Sequence, residues 1–170
     1  MRILGIDPGL SRTGFAVLEI ASGDQAGTPA LVDAGVFRLD ASRPIAERLD
    51  ELARDLTTLI EECEPTHGAV EALYAHREFP ATAITMAHAR GVILLCMQRA
   101  RMPITELPAN TIKKSIAGHG HASKEQVAGA VASIFALDAP PEPFDVSDAM
   151  AVACCAAVRL WTERSSAAPR

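Results

Sequence analysis

Apolar residues in the first third of the chain come in short runs broken by turn chemistry. Arg2 to Ile6, Gly14 to Ile20 and Leu31 to Phe37 each read as a strand. Asp7-Pro8-Gly9 and Ala21-Ser22-Gly23-Asp24 separate them and suit tight turns, so the three strands predict an antiparallel meander. The period then changes. Ile45, Leu49, Leu52, Leu56, Leu59, Ile60 and Cys63 step by three and four, which predicts a helix started by Ser42 and Pro44 and ended by Pro65. Gly68 to Ala72 is a fourth strand. A helix from about Pro80 to Arg101 follows, apolar on more than one side. Its Gly91 to Met97 stretch is too apolar for a solvent face and is expected at a subunit interface, with Leu94 as an outward position.

Pro103 to Leu107 predicts a fifth strand, and Ala109 to Ile116 a short helix. Ser123 and Gln126 then form a capping-box pattern ahead of Val127, Val131, Ile134 and Phe135. A proline-rich stretch from Ala139 to Phe144 leads into a last helix from Asp145 to about Arg164. The order βββαβαβααα describes an α/β domain, a five-stranded mixed sheet flanked by helices. One domain over residues 1–162 is expected, with 163–170 as a disordered tail.

Composition narrows the function classes. With 170 residues and 49% hydrophobic content, the chain can bury a core and is too apolar to be disordered. Its longest strongly apolar run, Val92 to Met97, is far short of the roughly 20 residues a bilayer span needs. No signal peptide is legible, since Asp7 cuts short Ile3-Leu4-Gly5-Ile6, so the expected address is the cytoplasm. Cys63, Cys96, Cys154 and Cys155 form no C-x-x-C pair and read as reduced, buried small hydrophobes. The net charge of −5 argues mildly against nonspecific nucleic-acid binding, although carboxylates gathered at a metal site would distort the total.

Four acids stand where apolar patterning does not explain them. Asp7 ends a strand that should be central, and Glu71 closes the fourth strand. An unpaired carboxylate in apolar surroundings costs several kcal/mol or shifts its pKa upward. Asp145 and Asp148 lie three apart at a helix start and can face the same way. Taken singly, each has a plain structural use, as a turn former, a solvated strand end or a helix cap. Brought together, four carboxylates cannot all stay ionised unless a cation neutralises them, and all-oxygen ligation suits Mg²⁺ or Mn²⁺ better than zinc. His119 and His121 form an H-x-H pair with no acidic or thiol partner at useful spacing, so a phosphate-facing loop is the better reading than a zinc site.

Three blocks carry a resemblance. Ile3-Leu4-Gly5-Ile6-Asp7-Pro8-Gly9 with Thr13-Gly14 is the first. Val70-Glu71, with an aromatic three residues on and then Ala89-Arg90-Gly91-Val92, is the second. Asp145-Val146-Ser147-Asp148-Ala149-Met150-Ala151 is the third. In this order and spacing they resemble the RuvC family of Holliday-junction resolvases, over residues 1 to about 162. The resemblance implies a ribonuclease H-like fold and a homodimer that nicks symmetric strands of a four-way DNA junction, leaving 5′-phosphate and 3′-hydroxyl ends in recombination and repair. It implies Asp7, Glu71, Asp145 and Asp148 as metal-binding, catalytic carboxylates for two Mg²⁺, with Mn²⁺ as a substitute. Lys113 and Lys124 would bind phosphate near the scissile bond. Tyr74 would stack on a base at the opened crossover, with His76 and Arg77 holding backbone phosphates. After the aromatic the family often has Ala-Lys-Asn, whereas this chain has Ala75-His76-Arg77-Glu78 with one extra residue. A branch-migration complex of the RuvA and RuvB type is the implied partner. The alternative within nucleases is a ribonuclease H-like enzyme of the YqgF type acting on RNA, which shares only the opening block. An actin-like ATPase would need two such domains, and this chain is long enough for one.

Overall fold

The computed structural model describes residues 1–21, 29–72 and 80–167. Ten elements follow in chain order: β1 (Arg2–Asp7), β2 (Arg12–Glu19), β3 (Ala30–Arg38), α1 (Ile45–Cys63), β4 (His67–Glu71), α2 (Pro80–Arg99), β5 (Ile104–Leu107), α3 (Ala109–Ala117), α4 (Lys124–Ile134) and α5 (Phe144–Ala167). The expected order of elements therefore holds, with boundaries displaced by a few residues. The sheet runs β3-β2-β1-β4-β5. The first three strands form the antiparallel meander, while β4 and β5 join β1 in parallel after helical crossovers.

Alternation along the central strands splits the core in two. Leu4, Ile6 and Val70 face α1 and α2, where Leu52, Leu56, Ile93 and Met97 meet them. Ile3 and Ala69 face the other way, into a cluster built on α5 with Leu107, Ile112 and Val127. By the same alternation, Asp7 and Glu71 belong to the α5 face.

Helix α5 lies unusually close to the sheet, because glycine stands where it crosses. A Cβ on Gly5 would come 2.6 Å from both the Ala149 carbonyl oxygen and the Ala153 nitrogen. A Cβ on Gly14 would come 1.9 Å from the Asp145 carbonyl oxygen. The residues facing the sheet, Ala149 and Ala153, are small and fully buried, so backbone packs on backbone. This contact brings the first turn of α5 to the end of β1.

Some expectations need correction. Ser42 does not cap α1; its hydroxyl donates to Asp40 at 2.7 Å, and the helix begins after Pro44 with no side-chain cap. Leu94 does not point outward but packs against the α1–α2 core, and the exposed large apolar residues of α2, among the described residues, are Ile84 and Leu95. The error is one residue, about 100° around the helix axis. Helix α5 runs from Phe144 to Ala167, past the Arg164 end expected for it. The four cysteines are free and buried, and burial pushes the Cys154 thiol up to about 12. Among the described residues, no helix is long and apolar enough to cross a membrane.

Candidate metal centre

One cleft of about 440 Å³ opens where β1, β4 and the first turn of α5 meet. Asp7, Glu71, Asp145 and Asp148 all line it, together with Lys113 from α3 and Lys124 from α4. Each arrives by a local rule. Asp7 and Glu71 end adjacent parallel strands; Ile6 stands opposite Val70, so one further residue places the two acids side by side. Asp145 lies in the first turn of α5 and Asp148 about one turn further on, on the same face. Lys124 follows immediately after the Ser123 cap. The Ser123 hydroxyl accepts from the Gln126 N–H at 3.2 Å, and the Gln126 side chain accepts from the Ser123 N–H at 2.9 Å. The predicted capping box thus sets where the lysine starts its helix.

The loop after Asp7 is braced from two sides. The buried Thr13 hydroxyl donates to the Gly9 carbonyl, closing the turn. Arg48 reaches from α1 to donate to the Leu10 carbonyl and, at 3.1 Å, to the Ser11 hydroxyl. Arg90 steadies the other strand end: its Nε donates to the Glu71 carbonyl at 3.5 Å, and its guanidinium pairs with the Glu106 carboxylate.

Electrostatics mark the cleft as short of positive charge. Burial pushes the Asp7 carboxyl up to about 8, aided by repulsion from Glu71 and Asp148, opposed by Lys124, with Asp145 adding a smaller push. Burial and the Asp148 charge raise Glu71, against Lys124 and Lys113. Burial likewise raises Asp148, although Lys124 pulls the other way. Two acids already hold cations. Lys124 Nζ lies 3.2 Å from Asp148 Oδ2, and Arg12 Nε lies 3.8 Å from Asp145 Oδ2. Burial works against the Lys124 ammonium, but Asp148, Asp7 and Asp145 together raise its pKa.

Among the described residues, no three acidic, imidazole or thiol side chains are placed to hold a metal ion as they stand. The donor chemistry nevertheless fits a hard divalent cation. Three buried or half-buried carboxylates resist ionisation through burial and mutual repulsion, and a bound cation would remove that resistance. His119 and His121 are both exposed in the loop between α3 and α4. Tyr74, His76 and Arg77 lie outside the described residues.

Sequence reasoning missed Arg12 as a member of the cleft and Arg90 as its brace. Arg12 carried a legible signal, because it opens the strand that pairs with the Asp7 strand. Arg90 stood in the second resemblance block, but its bracing role could not be read there, because its partners lie on β4 and β5, 19 and 16 residues away.

The family model described as crossover junction endodeoxyribonuclease RuvC matches residues 3–156. A protein of that description from Synechococcus sp. (strain WH7803) is 44% identical over 153 residues, covering 90% of this chain and 96% of the relative. One from Prochlorococcus marinus (strain MIT 9313) is 41% identical over the same length and coverage. Among solved structures, the chain is similar to Thermus thermophilus RuvC in complex with Holliday junction substrate. The TM-score is 0.86 and the identity 28%, with 96% of each chain covered. The yeast mitochondrial resolvase Ydc2, 12% identical at a TM-score of 0.63 with 96% of this chain and 84% of that one covered, shares the fold alone.

Proposed function

The chain belongs to the RuvC family of crossover junction endodeoxyribonucleases, and from that premise we propose that its acidic cleft is where it nicks Holliday junctions. The chain is a nuclease of the resolvase class with a ribonuclease H-like fold. The observation that supports placing the chemistry in this cleft is the convergence of Asp7, Glu71, Asp145 and Asp148, with two lysines, from elements distant in sequence.

In this reading the four carboxylates would hold two Mg²⁺ ions. When bound, the metal supplies a water activated for attack and stabilises the leaving oxygen in phosphodiester hydrolysis. The residues of the chain do the rest. Asp7 and Glu71, fixed by the braced strand ends, set the floor of the cleft. Lys124 and Arg12, which pair with Asp148 and Asp145, would lie within reach of phosphate oxygens once those carboxylates held a cation. Lys113 approaches from α3 and balances charge beside Glu71. Tyr74 stacks on an unpaired base at the crossover, with His76 and Arg77 on neighbouring phosphates, and residues 1–162 work as a single nuclease domain.

A two-fold dimer suits the substrate, since a four-way junction offers two equivalent strands to two identical sites. The exposed Ile84 and Leu95 on α2, with Gly91 open between them, support that helix as the interface. Branch-migration proteins of the RuvA and RuvB type and a cytoplasmic location complete the reading. An RNA-acting relative of the YqgF type is disfavoured, because the family match runs through residue 156 and includes the closing Asp145–Ala151 block.

The test is cleavage of a synthetic four-way DNA junction and of structured RNA, with and without Mg²⁺ or Mn²⁺. Paired nicks in the DNA junction alone, ligatable and abolished by chelation, are expected. Cleavage of RNA in preference to the junction, or undiminished cleavage after chelation, would sink the proposal.

A further inference from the structure

The buried stripe of α1 runs Arg48, Leu52, Leu56, Leu59 and Cys63, in steps of three and four. An arginine opens an otherwise apolar row. Among the described residues, Arg48 is the only charged one that is buried, with 9% of its surface exposed. A buried guanidinium is costly unless a carboxylate neutralises it and its N–H groups find acceptors. Neither condition is met in full. No carboxylate among the described residues forms an ion pair with Arg48, and its buried Nε has no hydrogen-bond partner. Asp40, at the surface, senses its charge only after the hydrogen bonds of Ser42 and the charge of Arg43. Stability alone would place a leucine or methionine here.

What Arg48 holds is the loop that follows Asp7. Its Nη2 donates both to the Leu10 carbonyl and, at 3.1 Å, to the Ser11 hydroxyl. Residues 8–11 lie between β1 and β2, outside the ladder that pairs those strands. Other ties on this loop are the Thr13 hydroxyl on the Gly9 carbonyl and the Leu39 N–H on the Ser11 carbonyl at 3.0 Å. Asp7 precedes the loop and Arg12 follows it, and both line the acidic cleft. Arg48 therefore fastens a wall of that cleft to the helix layer on the opposite face of the sheet.

We propose that Arg48 is a positioning residue for the cleavage reaction, locking the Leu10–Ser11 turn so that Asp7 and Arg12 stand in place before metal and phosphate arrive. The proposal rests on the resolvase reading of the acidic cleft. A carboxylate whose backbone is already fixed loses little freedom when it takes a cation, and misplacement by about 1 Å costs roughly a hundredfold in rate. Arg48 is buried in the α1 layer, so its effect falls on metal affinity and on the cleavage step rather than on the grip on DNA.

The experiment starts with Arg48→Met, which keeps the length of the side chain and removes its charge and donors. This variant should melt at or above the wild-type temperature, since an unneutralised charge leaves an apolar stripe. Single-turnover cleavage at saturating protein should fall about tenfold to a hundredfold, with junction affinity unchanged. Calorimetry with Mn²⁺ and no DNA should show weaker binding. Arg48→Lys keeps a donor on a shorter stem and should recover part of the rate. Ser11→Ala, at an exposed position, removes one of the two acceptors. It should slow cleavage about threefold alone and add nothing in the Arg48→Met background, because the two residues act through one contact.

A less stable Arg48→Met protein that cleaves and binds Mn²⁺ normally per folded molecule would overturn the proposal. So would a full additional loss from Ser11→Ala in that background. If Arg48→Met does not fold, Ser11→Ala decides alone, and unchanged cleavage and Mn²⁺ binding in it would overturn the proposal. Wild-type protein that cuts no junction, while Mn²⁺ binding still depends on Arg48, would sink the resolvase reading and support the positioning role.

Discussion

The two faces of the sheet are built from the same strands by opposite means. Towards α1 and α2, the strands present Leu4, Ile6, Val17 and Val70 to Leu52, Leu56, Ile93 and Met97, all fully buried. Towards α5, the same strands present Gly5, Gly14, Ala16 and Ala69 to Ala149 and Ala153. Bulk on the first face keeps the helices at side-chain distance and supplies apolar burial, roughly 1.5–3 kcal/mol for each large side chain. Smallness on the second lets α5 descend onto the strands and carry two carboxylates to within reach of Asp7. Both faces bury apolar side chains, but only the α5 face carries the acids, and a single strand feeds both by alternation.

The largest expected effects come from the acids on the α5 face. Asp7→Asn should reduce junction cleavage by about a thousandfold or more while the junction still binds, since size is kept and the metal-holding charge is lost. Glu71→Gln should behave alike. Full cleavage by either variant, measured in single turnover, would remove the metal assignment.

The comparison of faces is sharpened by one truncation and one addition. Leu56→Ala should lower stability by about 2–5 kcal/mol in denaturant melts, with cleavage per folded molecule unchanged. Gly14→Ala should do the reverse in kind. Its methyl group must push the Asp145 backbone away, so cleavage should fall about tenfold or more, along with a loss of about 1–3 kcal/mol in stability. Equal specific activity in the two variants would mean that the close approach of α5 has no bearing on chemistry.

A smaller change is expected on the outer surface of α2. Leu95, 49% exposed, belongs to neither core. Leu95→Glu should give monomers by light scattering at micromolar concentration with an unchanged melt of the monomer fold. Wild-type protein that is already monomeric there would refute the interface.

The smallest effect is a pH dependence of the metal-free protein. Asp7 is raised from 3.8 to about 8, and Glu71 and Asp148 are raised as well. A carboxyl with a raised folded pKa favours folding fully below its unfolded value, and that contribution is lost as pH rises through the folded value. Chelated protein should therefore melt a few degrees lower at about pH 8 than at about pH 5, and Asp7→Asn should flatten the slope. Added Mg²⁺ should recover the loss at high pH. A chelated protein that gains stability over that interval would contradict the burial of these acids.

The sequence determined more of this protein than its fold class. Short apolar runs between turn residues, the three-to-four period of α1 and the capping box ahead of α4 placed the elements, since all are properties of neighbours along the chain. Asp7, Glu71, Asp145 and Asp148 were legible because each stands at an element end that apolar patterning does not explain, whereas Lys113 and Lys124 were legible only through the family resemblance. Only the tertiary structure decided what depends on distance between elements. It turned Leu94 inward and Leu95 outward, which α2 alone could not show because the helix is apolar on several sides. It paired Arg12 with Asp145 and hung Glu71 on Arg90. It also gave Gly5 and Gly14 their meaning: a missing side chain leaves no periodic trace, and its consequence exists only where another backbone fills the space.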